Sequence, residues 1–133
     1  MMKISAWPKY YTEDIDSVSK ILTSGKVNKW TGNQTEFFEK EFARLTDSKY
    51  AIAVANGSLA LTCAYRSLSI TKGDEIITTP RTFIATASSL VMLGAKPVFA
   101  DVDINSGAIT ADSIEPLITG KTKAICVVHL GGW

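Results

Sequence analysis

The sequence is poor in the residues that several classes of protein require. Only two cysteines and four prolines occur among 133 residues, which excludes a disulfide scaffold and a collagen-like chain. One histidine excludes a His-rich metal site, and no metal-ligand motif replaces it. Lys plus Arg (14) and Asp plus Glu (13) nearly cancel to a net charge of +1, which gives no electrostatic case for binding nucleic acid or an anionic membrane. Apolar runs such as residues 51–55 and 90–93 are too short to cross a bilayer.

What is present is the composition of a soluble globular domain. Hydrophobic residues make up 46% and charged residues 20% of a chain no longer than one domain. The first residues lack the apolar segment of a signal peptide, so we expect a cytoplasmic protein. Cys63 and Cys126 are far apart and each lies in an apolar pattern, which predicts buried, inert thiols.

Strand patterns alternate with helical patterns along the chain. The strand patterns are short, rich in Ile and Val, and apolar at nearly every position, as in strands covered on both faces. They lie at residues 50–55, 75–79, 97–102 and 124–129, whereas helical patterns lie at residues 12–24, 34–45, 58–68, 82–93 and 112–118. Strands separated by helices of this length predict an α/β fold with a parallel sheet and right-handed crossovers.

Glycine, proline and polar residues mark several predicted helix ends. Gly25 and Gly94 follow apolar periodic segments and are typical residues after a helix C-terminus. Asn33 and Glu36 have the spacing of a capping pair. Pro116 is expected to distort or end the last helix.

Common nucleotide-binding and hydrolase motifs are missing. There is no G-x-G-x-x-G and no G-x-S-x-G. Gly120-Lys121-Thr122 resembles the end of a P-loop, but the position of the motif's first glycine is Glu115, and the tripeptide precedes a strand pattern instead of following one. We interpret it as a turn. His129 ends a strand pattern and has no local catalytic signature, and the sequence stops shortly afterwards, as though the fold were cut there.

The segment Asn56-Gly57-Ser58 joins a strand pattern to a helical pattern. Free backbone N–H groups and the positive end of the helix dipole favour an anion at such a junction. Gly57 would let an oxyanion approach the backbone, and the Ser58 hydroxyl would add a donor. A glycine turn with Ser58 as the helix N-cap is the alternative, and the junction alone leaves both open.

Two further segments accompany this junction. Residues 78–86 lead from a predicted strand into a helix, at the edge of a parallel sheet where ligands bind, and Phe83 there could lie against a planar ring or pack within the fold. Residues 29–32 form a loop between two helices and include Trp30 and Gly32.

Taken in order, the segments resemble the DegT-type sugar aminotransferases, which are fold-type I enzymes that use pyridoxal phosphate (PLP). The matching stretches are residues 30–32, 37–43, 49–61, 73–77, 82–86, 94–103, 121–125 and 128–130. The resemblance covers essentially the whole chain. It implies an α/β fold of three layers with a mostly parallel sheet. Residues 1–133 would be the N-terminal portion of an incomplete fold-type I large domain, without the small C-terminal domain.

The resemblance also implies roles for individual residues. Gly57 and Ser58 would bind the PLP phosphate, Phe83 would stack on the pyridine ring, and Thr31 and Gly32 would lie near the substrate. The activity implied is transfer of an amino group, usually from glutamate, to a keto group of a nucleotide-linked sugar, for surface polysaccharides or glycosylated metabolites. Members of the family are homodimers.

The family's catalytic lysine, and the aspartate that pairs with the pyridine nitrogen, have no counterpart in these residues. We therefore name no catalytic residue here and expect the 133-residue chain alone to be inactive. Alternatives are a PLP-dependent sugar dehydratase of the same family, a non-catalytic remnant or regulatory protein, and a nucleotide-binding α/β domain without PLP. Because later strands flank the first strand in fold-type I enzymes, residues 50–55 are expected to lack sheet neighbours, and the isolated fragment to be unstable or to aggregate.

Overall fold

The computed structural model describes residues 7–132, which fall into two compact units that divide between Ala53 and Val54. The first unit contains α1 (Thr12–Ser24) and α2 (Gln34–Leu45), with the bounds that the sequence pattern predicts. Gly25 ends α1 in the left-handed conformation, with φ of 70°, and its N–H donates to the carbonyl of Leu22. Glycine adopts that conformation without the steric penalty that a Cβ imposes, which explains why the helix ends there.

Two expectations for the first unit are corrected. The Asn33 side chain accepts no backbone N–H from the first turn of α2, so the predicted cap with Glu36 does not form. The apolar stripe of α2, which includes Phe38, Phe42 and Leu45, is exposed, and Ala43 is the one buried side chain among residues 7–53. The helical spacing is therefore correct, but it identifies an apolar face and not a core within this unit.

The second unit is a parallel α/β arrangement, as predicted. Its elements in chain order are α3 (Gly57–Ser67), β1 (Glu75–Thr78), α4 (Ala85–Met92), β2 (Lys96–Phe99), α5 (Ala111–Ile114) and β3 (Thr122–Ile125). A 3₁₀ turn containing Pro116 follows α5, and another spans Leu130–Gly132. The sheet order is β2-β1-β3, and both pairings of β1 are parallel.

The central strand β1 is covered on both faces. Ile76 and Ile77 are fully buried and, as neighbours in a strand, point to opposite sides of the sheet. Ile76 packs in a cluster with Tyr65 of α3 and Leu90 of α4. Ile77 packs in a second cluster that includes Ile114 of α5. Helices thus lie on both faces, which confirms the three-layer prediction and explains the uninterrupted apolar pattern of this strand.

The predicted strand at residues 50–55 is not a strand in this structure. No strand among residues 7–132 pairs with its backbone, and Ile52 is 81% exposed. The other predicted strands exist but are shorter or shifted: Lys96–Phe99 replaces 97–102, and Thr122–Ile125 replaces 124–129. The reason is that, among residues 7–132, β2 and β3 pair only with β1, whose four residues limit the length of either ladder.

Several local predictions in the second unit also need correction. The third and fourth helices span Gly57–Ser67 and Ala85–Met92 rather than 58–68 and 82–93. The helix expected at 112–118 is α5 followed by a 3₁₀ turn, because Pro116 cannot continue the α-helical ladder. The cysteines are free, but Cys63 is exposed and Cys126 only partly buried, so the prediction of buried thiols is wrong.

Candidate functional site

The start of α3 presents two backbone donors without acceptors. Asn56, and not Ser58, is the N-cap: its Oδ1 accepts from the N–H of Leu59 at 2.9 Å, and its carbonyl accepts from Ala60 at 3.1 Å. The N–H groups of Gly57 and Ser58 and the Ser58 hydroxyl have no acceptor among residues 7–132. These three donors lie at the positive end of the helix dipole, an arrangement suited to an anion.

Gly57 is not required by the backbone of this junction. A Cβ built there would meet nothing within 4 Å, and its φ is not in the left-handed region. The open space lies beside the two free N–H groups. The absence of a side chain therefore leaves room for a ligand and does not relieve a clash within the protein.

Phe83 lies between the end of β1 and the start of α4 and is 73% exposed. Its carbonyl accepts from the N–H of Thr86 at 3.1 Å, and the hydroxyls of Thr82 and Thr86 are 2.9 Å apart. The backbone that carries Phe83 is thus fixed by the first turn of α4, while its ring is available at the carboxyl edge of the sheet.

Helices α3 and α4 pack against each other and bring the two features into one unit. The Ser89 hydroxyl donates to the carbonyl of Ser58 at 3.4 Å, and the Tyr65 hydroxyl donates to the carbonyl of Thr86 at 3.1 Å. Burial, together with the neighbouring thiol of Cys126, raises the pKa of Tyr65 above its ordinary value of 10.0. The Tyr65 hydroxyl therefore remains a protonated donor at the helix interface.

Thr31 and Gly32 lie in the first unit, within a loop organised by Asn28. The Asn28 carbonyl accepts from the Gly32 N–H at 2.8 Å, and its Oδ1 accepts from the Thr31 N–H at 3.1 Å. A Cβ on Gly32 would collide with the carbonyl oxygen of Lys26 and lie 3.1 Å from that of Asn28. Gly32 therefore has a structural reason to be glycine, in contrast to Gly57.

An ion pair joins this loop to α2. The Lys29 ammonium lies 2.8 Å from the Glu39 carboxylate, which also accepts from the N–H of Ala53 at 2.9 Å. The Lys29 hydrogen bond, followed by that of Ala53, lowers the pKa of Glu39 below its ordinary value of 4.5. One carboxylate thus holds both the loop and the end of the unit.

The structure adds residues that the sequence analysis missed. Asn56 is the cap of α3, and its place before Gly-Ser at a helix start was a usable signal. The sequence pattern does not predict the bond between Tyr65 and Thr86, because a tyrosine in an apolar helical stripe is typical of an ordinary core position. Within residues 7–132, no group of three or more His, Cys, Asp or Glu could hold a metal ion. No helix of the described chain has both the length and the apolar character needed to cross a membrane.

Comparisons with known proteins agree on one family. The family model of the DegT/DnrJ/EryC1/StrS aminotransferases matches residues 8–133. The chain is 42% identical over 120 residues to the spore coat polysaccharide biosynthesis protein SpsC of Bacillus subtilis, covering 90% of this chain and 30% of SpsC.

Solved structures give the same result. An aminotransferase from Psychrobacter cryohalolentis is 53% identical with a TM-score of 0.95, over 98% of this chain and 33% of that one. Spr1654 of Streptococcus pneumoniae, described as a sugar aminotransferase and solved in its PMP form, is 30% identical with a TM-score of 0.87, over 94% of this chain and 31% of that one. The chain therefore spans about a third of the length of the relatives it matches.

Proposed function

Because the chain belongs to the DegT/DnrJ/EryC1/StrS aminotransferase family, we propose that it forms part of a PLP-dependent sugar aminotransferase. The observation that carries the proposal is the junction at Gly57-Ser58, where two unpaired N–H groups and a free hydroxyl face open space in a chain of this family. A structure of one relative was determined in the PMP form, the amino form of the same cofactor.

The residues present fit PLP. Gly57 and Ser58 would hold the phosphate, because a dianion at a helix N-terminus gains both the dipole and the unpaired donors. When bound, PLP supplies an electron sink for the amino-group transfer. The protein's part here is to bind the phosphate end and to set the position of the ring.

Phe83 would stack on the pyridine ring, since its exposed aromatic face lies at the edge of the sheet where ligands of parallel α/β folds bind. We assign Thr31 and Gly32 to the neighbourhood of the substrate. For Gly32 this role would come through the shape of the Asn28 loop, because its Cα hydrogens lie against backbone carbonyls.

The wider assignment rests on the family and on the names of the relatives. We propose a nucleotide-linked keto sugar as the acceptor and glutamate as the amino donor, in a pathway of polysaccharide biosynthesis such as the one named for SpsC. The enzyme would be a cytoplasmic homodimer that acts on neither nucleic acid nor membrane. The catalytic lysine would lie outside these 133 residues, so that the chain is an incomplete fold-type I large domain that is inactive alone.

The test uses the full chain encoded by the gene, loaded with PLP and given ¹⁵N-glutamate and a panel of nucleotide-linked keto sugars. Transfer of ¹⁵N to a sugar supports the proposal, and Ser58→Ala should weaken PLP retention. Loss of a sugar hydroxyl without nitrogen transfer would instead indicate the dehydratase. A full chain that neither retains PLP nor transfers nitrogen would contradict the proposal and favour a non-catalytic role.

A further inference from the structure

Tyr65 places a hydroxyl group where the surrounding core is apolar. It is 4% exposed and packs with Ile76 and Leu90 in the cluster between the sheet and helices α3 and α4. It is the one buried member of that cluster with a hydroxyl. Its oxygen donates to the Thr86 carbonyl, 21 residues further along the chain and on the neighbouring helix, at 3.1 Å. A phenylalanine would fill nearly the same space without this bond, so the hydroxyl needs an explanation beyond packing.

Thr86 is the residue that closes the turn carrying Phe83. It is 6% exposed, its N–H donates to the Phe83 carbonyl at 3.1 Å, and its hydroxyl lies 2.9 Å from that of Thr82. Tyr65 therefore donates to Thr86, the residue whose N–H and hydroxyl make the hydrogen bonds of this turn. Any shift of Thr86 would move the backbone of Phe83 with it.

The same helix that carries Tyr65 begins with Gly57 and Ser58. At that end, the Ser89 hydroxyl of α4 donates to the Ser58 carbonyl at 3.4 Å. Two hydrogen bonds thus join α3 to α4, one beside the unpaired donors and one behind the exposed aromatic ring. These bonds constrain how α3 packs against α4, and a cofactor bound at one end and stacked at the other would depend on that packing.

We propose that Tyr65 is a positioning residue that sets Phe83 relative to Gly57 and Ser58, so that an aromatic phosphate can contact both at once. The inference rests on the proposed function, because PLP carries both a phosphate and an aromatic ring. Tyr65 is buried and acts through Thr86. Burial raises its pKa above 10.0, so near neutral pH the hydroxyl is protonated and can donate to the Thr86 carbonyl.

The binding test compares two probes on the full chain. 4′-Deoxypyridoxine 5′-phosphate has the ring and the phosphate but forms no covalent bond with lysine, whereas inorganic phosphate engages the phosphate end alone. Tyr65→Phe keeps the ring packing and removes one hydrogen bond. It should therefore lower the affinity for the analogue roughly two- to tenfold, the range for one neutral hydrogen bond. Affinity for inorganic phosphate should not change. An equal loss of affinity for both probes, or no loss for either, would overturn the inference.

Tyr10→Phe is the matched control. Tyr10 is 71% exposed and its hydroxyl has no hydrogen bond among the described residues, so the same atom is removed without a hydrogen bond being lost. A double-mutant cycle adds the second control. If Tyr65 acts through Phe83, Tyr65→Phe should add little to the loss caused by Phe83→Ala. Fully additive losses would mean that Tyr65 acts elsewhere.

Hydrogen exchange in the ligand-free full chain separates failure of this inference from failure of the proposed function. Tyr65→Phe should speed exchange of the Thr86 amide by about the factor lost in analogue binding, and leave the amides of β1 unchanged. Unaltered exchange at Thr86 would overturn the inference even if PLP binds. If the wild-type chain does not bind the analogue, the proposed function fails and the cofactor role of Tyr65 fails with it, whatever the exchange shows of the turn itself.

Discussion

Replacing Gly57 by alanine should separate a ligand-binding role from a structural one. A Cβ at this position meets no atom within 4 Å, and the backbone is not in the left-handed region. The folded chain therefore accepts the methyl group without strain. Alanine also restricts the unfolded chain, so we expect a gain in the free energy of unfolding of about 0.4–1 kcal/mol in the absence of ligand.

The same methyl group should weaken binding of PLP. It would occupy space beside the N–H groups of Gly57 and Ser58, where a phosphate oxygen has to approach. Loss of one hydrogen bond to a charged group costs about 1.5–3 kcal/mol. Since 1.4 kcal/mol corresponds to a tenfold change, we expect affinity to fall roughly 10- to 100-fold.

Calorimetric titration with 4′-deoxypyridoxine 5′-phosphate, together with thermal unfolding in its absence, measures both effects on the full chain. Gly120→Ala is the matched control, because a Cβ at Gly120 also meets nothing within 4 Å and its φ is ordinary. The control should bind as wild type does. Wild-type affinity in Gly57→Ala would refute the phosphate site, and a loss of stability without ligand would show that Gly57 is needed by the fold.

Three further predictions concern the other residues. Gly32→Ala should lower the free energy of unfolding by about 1–3 kcal/mol, because the new methyl group strikes the Lys26 carbonyl; a thermal melt that matches wild type would contradict this. Phe83→Leu should leave the thermal melt unchanged, because Phe83 is exposed. It should lower the affinity for the PLP analogue about 2- to 13-fold, the equivalent of about 0.5–1.5 kcal/mol for a lost aromatic pair. An affinity equal to that of wild type by titration would exclude stacking. The hydrogen bond from the Thr119 hydroxyl, followed by that from Lys96, lowers the pKa of Glu75 below 4.5 in the folded protein. The Glu75 carboxylate therefore stabilises the fold above the pKa of the unfolded state, and this contribution is lost as pH falls through the pKa of the folded state. Denaturant unfolding between pH 3 and 6 should show that the free energy of unfolding falls less steeply with acid in Glu75→Gln than in wild type. Identical pH profiles for the two proteins would contradict this prediction.

Local chemistry explains what the sequence predicted correctly. The bounds of α1 and α2, and the helix ends before Gly25 and Gly94, follow from apolar period and from the left-handed conformation of glycine. These signals depend on a few neighbouring residues. The apolar strand at 75–79 was recognisable for a similar reason, since burial on both faces leaves an uninterrupted Ile and Val pattern.

The errors arise where a partner in space decides the structure. Residues 50–55 have a strand pattern, but backbone polar groups become a strand only when another strand pairs with them, and none does among residues 7–132. The thiol of Cys63 is exposed although its sequence surroundings are apolar, because the pattern does not say which face of α3 is covered. Asn33 has the right type for a cap but not the geometry.

The candidate site divides in the same way. Gly57, Ser58 and Phe83 could be predicted because they lie at junctions whose backbone geometry is local, and their roles stay predictions until a ligand is bound. Tyr65 and Thr86 could not, since their hydrogen bond joins two helices and depends on how these pack. A buried tyrosine and a buried leucine give the same helical period.

Mass spectrometry of the protein from its native source, first under native and then under denaturing conditions, tests the central claim most directly. The claim predicts a chain well above 14.4 kDa that carries one PLP or pyridoxamine phosphate per chain under native conditions and contains residues 1–133 as a part. A chain of 14.4 kDa without cofactor would contradict it and would withdraw the aminotransferase assignment.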